Sequence, residues 1–68
     1  IMYIKLLGEN ENGFPLDCTV GKVYEIVNFE EENFYFINDV KQQSFACTMQ
    51  NCMDVGKWQA VDKNGEAL

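Results

Sequence analysis

Two runs rich in β-branched and aromatic residues, KVYEIVNFE at 22–30 and FYFIN at 34–38, are joined through Glu30, Glu31, Glu32 and Asn33. No other feature limits the fold as much. Such residues favour pleated, half-buried strands. Three like charges resist close packing, and asparagine tolerates the left-handed geometry of a tight turn. The pattern therefore predicts a β-hairpin. In the first run Tyr24 and Ile26 share one face, and Val23, Glu25, Val27 and Phe29 share the other. In the second, Phe34 and Phe36 oppose Tyr35 and Ile37.

The rest of the chain extends this reading. MYIKLL at 2–7 alternates well enough to be a strand, with Met2, Ile4 and Leu6 on one side. Residues 8–18 read as a long loop, with Phe14 and Leu16 expected to fold back onto the core. SFACT at 44–48 reads as a third meander strand and KWQAVD at 57–62 as the last, with Trp58 and Ala60 on one face. MQNCMDVG at 49–56 lacks strand character and reads as a short helical turn. KNGEAL is expected to fray. The fold class is all-β: a small five-stranded SH3-like barrel with a short helical turn before the last strand, closure protecting the strand edges.

The length of 68 residues fits a single domain over 1–68. A domain of this size buries only about 60% of its unfolded surface, so each large apolar side chain counts. Met2 reads as the natural start, with Ile1 an added residue. No apolar run approaches the ~18 residues of a membrane span, and IMYIKLLGE has neither the length nor the basic start of a leader. Cys18, Cys47 and Cys52 form an odd set, which fits free thiols in a reducing cytoplasm.

Charge narrows the function. Acidic residues outnumber basic ones 11 to 5, with no histidine, for a net charge of −6. That balance opposes nucleic-acid binding, which needs a basic face to displace counterions from phosphates. No histidine, nucleophile elbow or triad points to catalysis. Three cysteines without histidine fall short of a four-ligand zinc set, so neither a metal nor a cofactor is expected, and the cysteines read as small buried hydrophobes.

The segment Thr19, Val20, Gly21, Lys22, Val23, Tyr24, Glu25, Ile26, followed by an acidic turn and FYFIND, resembles small proteins encoded by phages and prophages. Their shared pattern runs threonine-valine-glycine-lysine-x-tyrosine-glutamate-valine, then a turn and an aromatic-rich strand. The resemblance covers residues 2–53 and implies an SH3-like barrel without an assigned catalytic residue. It departs at VKQQ, where a turn of Gly, Asp and Asn is common, and the final twelve residues do not map onto it. Within the motif Gly21 suits a positive φ at the entry to the strand, Val20 and Tyr24 are expected to reach the core, and Lys22 is expected to stay solvated.

The hairpin carries more apolar side chains than one small barrel can enclose. The surplus must lie under the long loop, in a homo-oligomer, or on a surface that meets a partner. The expected function is that of a non-enzymatic phage accessory protein in the host cytoplasm. It would bind and inhibit a bacterial host or defence protein through Val27, Phe29, Glu30, Glu31, Glu32, Phe34 and Phe36. The alternatives are an oligomeric sequestrant of a nucleotide signal, using Lys5, Lys22 and Lys41, and a structural virion-associated module.

Overall fold

A computed structural model describes residues 2–30, 33–47 and 55–68. Five strands form: β1 (Met2–Gly8), β2 (Val23–Glu30), β3 (Asn33–Ile37), β4 (Gln43–Cys47) and β5 (Lys57–Val61). All neighbours are antiparallel, in the order β4-β3-β2-β1-β5. Each strand lies within a residue or so of the span its sequence predicts. The sheet curls into a half-barrel, and among the described residues there is no helix. The helical turn expected at 49–56 falls mostly outside the described residues, and its last two, Val55 and Gly56, form a bend.

Alternation explains the core. Ile4 and Leu6 of β1, Tyr24 and Ile26 of β2, Phe34 and Phe36 of β3, Ala46 of β4 and Trp58 of β5 make one buried cluster. Phe36 and Trp58 lie on strands that are not sheet neighbours, yet their ring centroids are 5.0 Å apart. Curling is what brings them together. Tyr24 sits between them, 5.1 Å from Phe36 and 6.0 Å from Trp58. These separations are favourable for tilted aromatic pairs.

Two irregularities redirect side chains. Between β1 and β5 the register shifts from Leu6↔Trp58 to Gly8↔Lys57, leaving Leu7 as an extra, exposed residue. Between β2 and β3 it shifts from Ile26↔Phe36 to Asn28↔Tyr35, which leaves Val27 extra. A bulge of this kind reverses the alternation beyond it. Phe29 therefore lies opposite Phe34, on the core side of the sheet, and not on the face of Val23 and Glu25 as strict alternation requires.

The loop between β1 and β2 closes the open side of the half-barrel, but with different residues than the sequence predicts. Phe14 and Leu16 are exposed, and Pro15 between them is buried. Pro15 takes the inward place beside Gly56, and the chain then turns at 16–17, where Asp17 has a φ of +58°. Cys18 packs against the core from the same loop. Gly21 has a φ of +86° and its N–H donates to the Leu6 carbonyl at 2.8 Å, so the motif glycine does make the turn into β2. Val20, expected inside, is 54% exposed, while Tyr24 is buried. The tail, expected to fray, folds back on β5: Val61 bridges Ala67, and the Asp62 N–H donates to the Glu66 carbonyl at 2.9 Å.

Candidate functional site

The expected partner surface divides in two. Phe34 and Phe36 are 8% and 1% exposed, so both belong to the core and are removed from the surface. The pairing Ile26↔Phe36 puts Phe36 on the inward face, and Phe34 follows two residues away on the same side. Val27 and Phe29 are about half exposed, and Glu30 is exposed. Glu31 and Glu32 lie outside the described residues.

The bulge builds what remains. It leaves Val27 on the outer face, where plain alternation also puts it, and brings Phe29 to the end of the core, its ring 6.4 Å from that of Phe34. The Asn28 side-chain oxygen accepts the Phe29 N–H at 2.9 Å, holding the bulged backbone locally. Met2 lies opposite Ile26 across β1 and β2. Met2, Ile26, Val27, Asn28 and Phe29 together line a shallow depression of about 340 Å³. Sequence reasoning missed Met2, Ile26 and Asn28. Asn28 did carry a signal, since asparagine is a poor strand former and interrupts an otherwise strong run. Met2 carried none, because only the pairing of β1 with β2 brings it there.

A second cluster lies at the entrance to β2. The loop residue Thr19, the strand residue Tyr24 and the β3–β4 turn residue Asp39 meet there. The Thr19 N–H donates to the Tyr24 hydroxyl at 2.8 Å, and that hydroxyl donates to Asp39 Oδ1 at 3.0 Å. Thr19 Oγ1 donates to Asp39 Oδ2 at 2.8 Å, and Lys22 Nζ forms an ion pair with Asp39. The Asp39 N–H donates to the Asp17 carbonyl at 2.9 Å. Buried Asn38 sets the turn that presents Asp39. Its side-chain oxygen accepts the N–H groups of Val40 and Gln42, both at 3.0 Å, and its amide donates to the Ser44 hydroxyl at 2.7 Å.

This cluster is a latch between the long loop and the sheet. Burial pushes the Tyr24 hydroxyl up to about 12 despite the hydrogen bond from Thr19. Burial and the Asp39 charge also push the Cys18 thiol up, which keeps it protonated and poorly nucleophilic. Lys22, through its hydrogen bond, and then Thr19 hold the Asp39 carboxyl below its usual value. Lys22 was one of three lysines expected to offer charge to a nucleotide; here it is bound to Asp39, 5.2 Å above the Tyr24 ring.

The latch has a pH dependence of definite sign. A carboxyl whose folded-state pKa is depressed contributes stability that is present above its unfolded pKa. That contribution is lost as pH falls through the folded value, so the window lies below the ordinary 3.8. Thermal melts of wild type and Asp39→Asn should differ most near neutral pH and converge in strong acid. Parallel curves across the whole range would show that Asp39 does not anchor the loop.

The chain matches no protein-family model, no curated protein and no solved structure.

Proposed function

We propose that this protein is a non-enzymatic accessory protein of phage origin, an SH3-like barrel that binds and inhibits a bacterial host or defence protein in the host cytoplasm. The observation that carries the reading is the bulged end of β2. Val27 and Phe29 stand exposed beside the 340 Å³ depression, with the Glu30 carboxylate next in sequence. Exposed apolar groups rimmed by charge are a common form of protein-binding surface. Aromatic anchors in such places supply much of the binding energy. The phage origin rests on the resemblance of the Thr19–Ile26 motif. Acidity adds selectivity: a chain of net charge −6 favours a basic partner surface and speeds encounter with it.

The test is capture from bacterial lysate with wild type, Phe29→Asp and Glu30→Lys. Glu30 is exposed, so Glu30→Lys should leave stability within about 0.5 kcal/mol of wild type. Phe29 is half exposed and pairs with Phe34, so Phe29→Asp is compared only where its circular dichroism shows it folded. Wild type should retain a discrete protein that Phe29→Asp loses and Glu30→Lys holds less tightly, with a reduced salt dependence. Retention of nothing, or equal retention by all three, would overturn the reading.

A further inference from the structure

The two edges of the sheet are treated differently. Beyond β5 the tail folds back, with the Val61–Ala67 bridge and a Leu68 N–H donating to the Ala60 carbonyl at 3.4 Å. Beyond β4 no strand is present among the described residues. Natural sheets blunt such edges with lysines, prolines, bulges or inward charges. β4 has none of these. It pairs with β3 in unbroken register from Asn33↔Cys47 to Ile37↔Gln43. Its sequence QSFAC lies within residues 42–53, the longest stretch of the chain without a charged side chain. On its outer face Phe45 is 41% exposed, its ring 5.7 Å from that of Tyr35.

We propose that β4 pairs antiparallel with β4 of a second copy of this chain, about a two-fold axis near Phe45. Such a contact joins two five-stranded sheets into one. An isologous antiparallel pair needs a self-complementary strand, and an uncharged, regular strand meets that need. Charge also selects the place. Two molecules of net charge −6 repel each other, and repulsion is least where neither contributes a charge to the contact. Salt screens the remaining long-range repulsion, so this dimer should tighten as salt rises. The proposal is independent of the partner surface at Val27 and Phe29, which sits on β2 and is duplicated in the dimer.

Sedimentation velocity from micromolar to millimolar protein, at low and high salt, tests it. Wild type should pass from a 7.8 kDa monomer to a species of twice that mass, and earlier at high salt. Phe45→Lys and, as a second variant, Gln43→Lys each place a charge on the strand without entering the core. Each should weaken the dimer about tenfold or more while circular dichroism stays close to wild type. Gln43→Lys should also keep the wild-type melt, whereas Phe45→Lys loses the ring pair with Tyr35 and melts somewhat lower. A monomer at millimolar concentration overturns the proposal and leaves the edge to a strand from another protein. A dimer that both variants leave intact, or one that salt weakens, also overturns it, since the contact then lies elsewhere.

Discussion

Phe36→Ala should leave little folded protein. Phe36 is 1% exposed and contacts Tyr24 and Trp58 across the inside of the half-barrel. Removing a buried Phe ring costs about 3–5 kcal/mol, the lost transfer energy plus the cavity left behind. At 0.05–0.15 kcal/mol per residue, a 68-residue chain has about 3–10 kcal/mol in total. The loss therefore takes a large share of the available stability. Urea titration followed by Trp58 fluorescence should show the midpoint falling sharply or the cooperative transition disappearing. Phe45→Ala is the matched control. It removes the same side chain from the adjacent strand, on the opposite, exposed face. There the ring is 41% exposed and its pair with Tyr35 is worth about 1 kcal/mol or less, so the loss should be clearly smaller. Equal destabilisation by the two would mean that the inner face is not the core.

That contrast marks what could be read from residue order alone. The spans of the five strands follow from composition and alternation, because side-chain period and β-propensity are local properties. Which residues share a face was legible for Ile4 with Leu6, Tyr24 with Ile26, and Trp58 with Ala60, where no irregularity intervenes. That reading failed at Phe29, because one extra residue at Val27 reverses the pattern beyond it. The position of that bulge depends on how β3 pairs with β2, which is not a local property. Phe34 and Phe36 were correctly set opposite Tyr35 and Ile37, but alternation alone could not say which pair faces inward.

The candidate site was legible in proportion. Val27, Phe29 and Glu30 could be singled out as apolar surplus beside charge. The latch could not. Asp39 is 20 residues from Thr19 and 17 from Lys22, and their meeting depends on the Asn38 turn. A lysine after a glycine before a strand looks solvated in sequence. In the fold it is half exposed and bound to Asp39. Polar pairs between loops leave no periodic trace, so they emerge only once the sheet order is known.

Gly56→Ala should be the most damaging of the glycine-to-alanine changes. Gly56 has a φ of +90°, a region that a Cβ makes costly by about 1–2 kcal/mol. A Cβ there would also lie 2.8 Å from Trp58 Nε1 and 3.0 Å from Pro15 Cδ. Both neighbours are held. The indole N–H donates to the Val55 carbonyl at 3.2 Å, and the Gly56 N–H donates to the Gly13 carbonyl at 3.1 Å. The clash therefore separates the loop from the core or displaces Trp58, and overpacking of this kind costs about 1–3 kcal/mol more. For a domain of this size each kcal/mol lowers Tm by roughly 4–8 °C, so a fall of about 10 °C or more is expected. Gly21→Ala isolates the backbone part. Its φ is +86°, and a Cβ there meets nothing within 4 Å. It should lower Tm by about half as much or less. Adding Pro15→Ala to Gly56→Ala removes one of the two obstructions. The pair should then be non-additive by about 0.5 kcal/mol or more in the stabilising direction. Strict additivity would mean that the loop does not press on Gly56 at the entry to β5, and that the open side of the half-barrel is closed by other contacts.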